Sequence, residues 1–196
     1  MAFVMHRNAD YRRMRWKNGL GETAEVAIAP DGAALDAFDW RISMARVEAD
    51  GPFSPFACID RTLSILAGEG LRLAAAGRQP VVLGPASAPY SFAGDVACAA
   101  TLERGAVTDL NVMTRRGHYW HRVSRLACGS YVAAGDLDQA YLVASGLGPV
   151  GVRIDGADVQ LSMLDSVRLG KGPWVVGVPD VAPGALLLVE IGRVTR

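Results

Sequence analysis

The sequence predicts an all-β fold organised as two similar barrels, and three observations carry that prediction. Short alternating or wholly apolar stretches recur between Gly and Pro about every 8–12 residues, the spacing of strands and turns. Long runs with helical periodicity are scarce. Shifting the chain by 78 residues without gaps places Gly68 on Gly146, Gly70 on Gly148, Val81 on Val159, Leu83 on Leu161 and Gly94 on Gly172. Turns then fall on turns, and the strand at 109–113 falls on 187–191. Two halves follow, residues 16–117 and 131–191, joined by a segment containing 115–125, with the chain 1–196 as one compact unit. A single irregular sandwich with coincidental glycines is the alternative.

The strands expected in the first half are 23–29, 40–47, 62–67, 70–75, 79–83, 96–102 and 108–114. Pro30-Asp31-Gly32 closes the first of these, Asp50-Gly51-Pro52 follows the second, and Gly84-Pro85 ends the fifth. Each supplies either a positive φ or a φ fixed near −65°. In the second half the expected strands are 131–134, 139–144, 150–154, 159–163, 174–178 and 185–191. Asp155-Gly156 closes 150–154, and Pro183-Gly184 precedes the last strand.

Composition narrows the function. At 196 residues and 20.7 kDa, a chain buries about 70% of its unfolded surface and needs no staples. Twenty Lys+Arg balance twenty Asp+Glu, which argues against bulk electrostatic binding to nucleic acid or an anionic membrane. Hydrophobic residues make up 51% and charged residues 20%, a globular composition and not a disordered one. His6 and Arg7 interrupt the N-terminus too early for a signal peptide. No run reaches the roughly 18 apolar residues of a membrane span, so a cytoplasmic protein is expected. Cys58, Cys98 and Cys128 form no C-x-x-C pair and fit reduced thiols.

Strand alternation sorts the polar residues into rows. In 40–45, Arg41 and Ser43 share a face opposite Trp40, Ile42 and Met44; in 109–115, Asp109, Asn111, Met113 and Arg115 share another. Thr62 and Ser64 form a third row. Gathered in one barrel, these rows would line a polar cavity for a small anion, with Arg as a bidentate fork. The competing reading turns them to solvent and fills the barrel with the apolar rows. Leu186, Leu187, Leu188 and Val189 are continuously apolar where the first half has Asn111 and its neighbours. A ligand site therefore belongs to the first half, and the second barrel is expected to be packed shut.

Other motifs carry less. The segment from Trp16 to Thr23 lacks the phosphate-loop spacing and reads as a tight turn into a strand. His118 and His121 have no Cys, Asp or Glu beside them to complete a metal site, which leaves a surface or interface pair. No G-x-S-x-G is present and Cys58 has no visible base. Arg12-Arg13-Met14-Arg15 reads as a solvated edge, with an acidic partner as the alternative.

Five stretches, taken together, resemble the HutD/Ves family. They are Trp16-Lys17-Asn18-Gly19-x-Gly21-x-Thr23, Phe38-x-Trp40-Arg41-Ile42-Ser43, Asp50-Gly51-Pro52-Phe53-Ser54-x-Phe56, Ile59-Asp60-Arg61, and Asp109-Leu110-Asn111-Val112-Met113-x-Arg115-Arg116-Gly117. They span about residues 14–117. The resemblance implies a bicupin, two cupin-like β-barrels in one chain. It also implies a regulatory role in bacterial histidine utilisation, through binding of an intermediate such as formylglutamate or urocanate. Two positions depart from the family pattern: Leu20 replaces a Gly, and Phe56-Ala57-Cys58 replaces Phe-Pro-Gly. The His-x-His of metal-binding cupins is absent between Arg7 and Gly117, so no metal and no cofactor are expected.

Two functional classes follow. In the first, the chain binds a small carboxylate through Trp16, Arg41, Ser43, Arg61, Asn111, Met113 and Arg115, with Arg61 and Trp16 near the barrel mouth. In the second, it is a metal-free isomerase or lyase using Glu25, Asp60 or Asp109 as acid or base. A carboxylate with a strongly raised pKa inside the barrel would favour the second. The expected partner is a small carboxylate, with no nucleic acid and no membrane; a homodimer is compatible with either class.

Overall fold

Alternating and continuously apolar stretches fold as antiparallel strands throughout the computed structural model, which describes residues 3–133, 137–146, 148–170, 173–179 and 184–195. In chain order these are β1 (Val4–His6), β2 (Arg12–Arg15), β3 (Gly21–Ala29), β4 (Trp40–Val47), β5 (Gly51–Pro52), β6 (Ile59–Ala67) and β7 (Leu71–Ala75). Next come β8 (Val81–Leu83), β9 (Tyr90–Ala93), β10 (Cys98–Leu102), β11 (Val107–Arg115), β12 (Tyr119–Arg125) and β13 (Gly129–Val132). The last are β14 (Gln139–Ala144), β15 (Val150–Ile154), β16 (Ala157–Leu161), β17 (Ser166–Leu169), β18 (Val175–Val178) and β19 (Leu186–Arg193). The helical content among the described residues is a 3-10 turn at Asn8–Asp10.

Two compact units form, one from residues 12–120 and one from residues 1–11 with 121–196. The 12–120 unit has a six-stranded sheet ordered β2-β3-β4-β11-β6-β9 and a four-stranded sheet ordered β5-β10-β7-β8. The other unit has a five-stranded sheet ordered β1-β17-β14-β19-β12 and a four-stranded sheet ordered β13-β18-β15-β16. The order β4-β11-β6-β9 thus reappears as β12-β19-β14-β17, and β5-β10-β7-β8 as β13-β18-β15-β16.

The repeat is real at the level of strands, but the gapless shift is out by one residue for the large sheet. Leu63 and Ile65 of β6 pack inside the first unit, while Leu142 and Ala144 of β14 pack inside the second. Those pairs are 79 residues apart, whereas Val81 and Leu83 match Val159 and Leu161 at 78. Loop lengths absorb the difference: β7 and β8 are joined by residues 76–80, β15 and β16 by Asp155 and Gly156 alone. Because strand side chains alternate, a slip of one residue exchanges the inner and outer faces. Register then fixes the inward counterparts: Asp109 and Asn111 pair with Ile65 and Leu63, and the matching Ala144 and Leu142 pair with Leu186 and Leu188, so these, not Leu187 and Val189, stand in their places.

Several strands were not expected. Segment 115–125, expected as a joining segment, contains β12, whose polar run Tyr-Trp-His-Arg-Val-Ser-Arg hides its alternation. Strand β1 pairs with β17 from Val4↔Arg168 to His6↔Ser166. Asp165 holds this edge: it accepts hydrogen bonds from Arg7 Nη1 at 2.6 Å, the Asn8 amide at 2.9 Å and the Ser162 amide at 3.0 Å. Strands β5 and β9 are too short to show a period. The Arg12–Arg15 stretch is the edge strand β2, where Arg13 pairs with Glu22 at 2.8 Å.

Burial explains the continuously apolar reading. In β4, β6, β11, β14 and β19 nearly every residue is buried, on both faces. Inside the second unit, Leu142, Val152, Leu161, Val167, Trp174, Leu186 and Leu188 form one apolar core. The first unit is apolar toward one end, around Val47, Leu63, Leu71 and Phe92. Gly70, at φ +110°, lets strands close up: a Cβ there would lie 2.4 Å from the Leu83 carbonyl oxygen.

Candidate functional site

The polar rows face inward. Ala45 and Val47, which share the face of Arg41 and Ser43 on β4, pack with Leu63, Ile65, Leu71 and Leu73 between the two sheets. Register extends that face sideways: Asn111 lies opposite Ser43 and Leu63, Met113 opposite Arg41 and Arg61, and Asp109 opposite Ala45 and Ile65. Glu25 of β3 lies opposite Ser43. The solvent-facing reading of these rows does not hold, since Arg41, Ser43, Arg61, Asp109, Asn111 and Met113 are all buried. Thr62 and Ser64 do not join them. They pair with Val112 and Leu110 and lie on the opposite face of the sheet.

Two hydrogen-bonded groups occupy this interior. Arg41 Nε donates to Glu25 Oε2 at 3.0 Å, so its charge is balanced on the spot. Arg61 donates from Nε to Asn111 Oδ1 at 2.7 Å, and from Nη2 to the same oxygen. Asn111 Nδ2 in turn donates to Asp109 Oδ1 at 2.5 Å. The Arg61 guanidinium carbon lies 4.5 Å from the Phe53 ring centre and 5.5 Å from that of Phe92, a cation–π arrangement.

This layer is electrostatically unusual. Burial pushes the Asp109 carboxyl up to about 7, against the opposing pull of the Arg61 charge and the Asn111 amide. Its Oδ2 is buried with no partner among the described residues. Burial also lowers the Arg61 pKa, though a guanidinium stays protonated near neutrality. Arg61 Nη1 has no hydrogen-bond partner among the described residues. A buried arginine thus faces a neutral amide and a carboxyl that resists ionisation.

The remaining predicted residues separate. Met113 packs with Phe38 and Ile59 in an apolar plug. Arg115, at the end of β11, donates from Nη2 to the Phe38 carbonyl at 2.5 Å and lies 3.6 Å from Asp39. It lines a groove of about 510 Å³ with Leu35, Asp36, Phe38, Phe56 and Ile59. Trp16 lies at the other end: its Nε1 donates to Thr23 Oγ1 at 2.8 Å, and its ring flanks Gly21, the register partner of Val47. Val47 pairs with Val107, the first residue of β11, and eight residues at ~3.3 Å each put Arg115 roughly 26 Å away. Trp16 and Arg115 therefore do not converge on one site, and Arg115 stands apart from the interior row it was expected to join. Arg61 lies within the interior, 5% exposed, rather than at a rim.

The acid–base candidates also part. Glu25 is engaged by Arg41, and Asp60 pairs on the surface with Arg116 at 2.7 Å. Asp109 is the buried one, with the raised pKa. Among the described residues no three His, Cys, Asp or Glu side chains group as metal ligands. No described helix is long and apolar enough to cross a membrane. A larger open concavity of about 770 Å³ lies over Gly151 and Gly177 in the second unit, where Arg153 and Asp158 already pair at 2.8 Å.

Sequence reasoning missed Phe53 and Phe92 as the walls around Arg61. Phe92 pairs directly with Arg61 across β6 and β9, but the four-residue β9 gave no pattern to register it. The second departure from the family pattern also has a structural meaning. Cys58 sits at φ +57°, the left-handed region a glycine adopts without strain.

Comparisons with known proteins agree with this architecture. The HutD family model matches residues 8–178. A 21.2 kDa protein of Pseudomonas putida, described as uncharacterised and located in the hutC 3′ region, is 33% identical over 186 residues, covering 94% of this chain and 95% of its own length. Protein Ves of Citrobacter koseri is 34% identical over 153 residues, covering 76% and 78% respectively. The solved structure of HutD from Pseudomonas fluorescens SBW25 superposes with a TM-score of 0.81 at 25% identity, covering 99% of this chain and 100% of that one. The all-β fold is cupin-like, and the chain belongs to the HutD family.

Proposed function

We propose that the 12–120 unit binds a small organic carboxylate and that Arg61 is the anchoring cation. One observation carries the reading: a buried guanidinium whose hydrogen-bond partner is a neutral amide and whose neighbouring acid is pushed by burial toward its neutral form. An isolated buried charge costs several kcal/mol, and a ligand carboxylate would supply the missing counter-charge. Arg41 is a poorer anchor because Glu25 already neutralises it, and Arg115 is tied to Phe38 and Asp39. Asn111 orients the anchor, and Ser43 is its register partner on the same inward face. Phe53 and Phe92 keep it dry, which strengthens a charge-assisted pair.

The repeated strand order supports reading the chain as a bicupin with one working barrel. At the second unit's equivalents of Arg61 and Asp109 stand Ala140 and Leu186, both part of its apolar core. Membership of the HutD family, and the hutC-adjacent relative, support a regulatory role in cytoplasmic histidine utilisation. Formylglutamate and urocanate are the first candidate ligands. A thermal-shift screen of that pathway's intermediates tests the reading, since a ligand at 100 times its Kd adds about 2.7 kcal/mol of stability. A shift with either compound supports it; no shift with any carboxylate in the screen contradicts it.

The raised pKa of Asp109 favours a second reading, a metal-free isomerase or lyase with Asp109 as acid or base. Against it, Asp109 is fully buried. Mass spectrometry of the ligand recovered after overnight incubation separates the two: an unchanged mass and retention time support binding, an isomerised or cleaved product the enzyme.

A further inference from the structure

We infer that Asp109 is the internal counter-ion of Arg61 and that a ligand carboxylate displaces it from that role, so that the protein takes up a proton as it takes up an anion. The inference rests on the carboxylate-binding reading above and assigns that site its regulation.

The geometry is a three-member chain. Asn111 uses its two amide ends in opposite directions, accepting from Arg61 and donating to Asp109 Oδ1. That leaves Asp109 Oδ2 without a partner in a fully buried position. Asp109 and its neighbour Arg61 have charged and titratable groups around them on four strands. Arg61 on β6 is the cation whose charge reaches it most strongly. Arg41 on β4 is neutralised by Glu25 on β3. Cys98 on β10 is a thiol that burial holds in its neutral form. One unbalanced cation and one acid remain.

In the free protein, Arg61 pulls Asp109 toward its ionised form while burial pushes it toward the neutral form, which places its titration near neutrality. A carboxylate seated on Arg61 removes the pull and adds a like charge nearby. Asp109 then accepts a proton from solvent. Charge balances around Arg61: one carboxylate and one proton enter together, so the local charge in the complex is that of the free protein with Asp109 ionised. Below neutrality Asp109 is already protonated, and binding needs no proton. Above it, each pH unit weakens binding by about tenfold.

The test is calorimetric titration with N-formylglutamate, whose carboxyls stay ionised through the range, at intervals from about pH 6 to 8.5. It is run on the wild type, Asp109→Asn and Arg61→Gln, each checked for native circular dichroism. The wild type is expected to lose affinity about tenfold per pH unit above neutrality, Asp109→Asn to show a flat profile, and Arg61→Gln to bind poorly throughout. Carboxyl carbon NMR of the ligand-free protein is expected to show one aspartate titrating near neutrality, lost in Asp109→Asn. Tight binding in the wild type with no pH dependence, or Asp109 titrating with the ordinary aspartates, overturns this inference and leaves the carboxylate reading standing. No binding at any pH, with Asp109 titrating near neutrality, overturns the carboxylate reading and the inference built on it.

Discussion

Arg61 donates from Nε to the side-chain oxygen Oδ1 of Asn111 at 2.7 Å, a bond between neighbouring strands of one sheet that turns a long cation into a fixed feature of the barrel interior. Its guanidinium is held by an amide, which carries no charge to neutralise it. Arg41, one strand further across, is held by a carboxylate. Two arginines on the same face thus have different work: one closes a structural pair and the other offers a charge.

The Arg41–Glu25 pair is therefore expected to matter for stability. Removing one partner leaves an uncompensated buried charge, so Glu25→Gln should destabilise the protein by about 3 kcal/mol in denaturant unfolding. Arg41→Ala should lose a similar amount. Neutral effects for both would show that the pair is fully solvated.

Asp165 gives a pH-dependent test of the edge formed by β1. Burial works to raise its pKa, but the Asn8 and Ser162 amides and the Arg7 guanidinium outweigh that and hold it below the ordinary value of 3.8. A depressed folded pKa contributes stability above the unfolded value, lost as pH falls through the folded one. Asp165→Asn should thus cost about 1–3 kcal/mol near neutrality, with the difference from wild type shrinking below about pH 4. A constant difference down to pH 2 would contradict the assignment.

Cys58 offers a gain. A non-glycine residue in the left-handed region costs about 1–2 kcal/mol, and the side chain is exposed, so little packing is lost. Cys58→Gly should raise stability by about 1 kcal/mol after the entropy lost to a freer unfolded chain. A lower melting temperature would mean that the thiol makes a contact worth more than the strain.

The metal expectation is tested by elemental analysis. Purified protein, dialysed against buffer, should retain far less than one equivalent of Zn, Fe, Cu, Ni or Mn, because imidazole and thiolate ligands do not converge among the described residues. Near one equivalent of any of them would reverse it.

The fold was largely legible because strand period and turn chemistry are local. Pro30-Asp31-Gly32 and Asp155-Gly156 lie at strand ends as expected. Strand β12 was hidden by its polar residues, although the repeat itself maps β4 onto it. The inward row of Arg41, Ser43, Asn111 and Met113 was readable from alternation. Its division into separate sites was not, because strand direction sets which end a residue reaches, and only the register places Trp16 and Arg115 far apart. The roles of the arginines depend on partners distant in sequence, Glu25 for Arg41 and Asn111 for Arg61, which no spacing rule supplies.

The most direct measurement of the central claim is isothermal calorimetry of formylglutamate and urocanate with the wild type, Arg61→Gln, Arg61→Lys and Arg115→Ala, near pH 6.5. Loss of the charge-assisted pair in Arg61→Gln should cost about 1.5–3 kcal/mol of affinity. Lys should recover only part of it, since an ammonium lacks the planar fork. Arg115→Ala should bind within about threefold of wild type, less than 1 kcal/mol. A folded Arg61→Gln that binds as tightly as the wild type would contradict the claim, and a loss confined to Arg115→Ala would move the site to the groove at the end of β11.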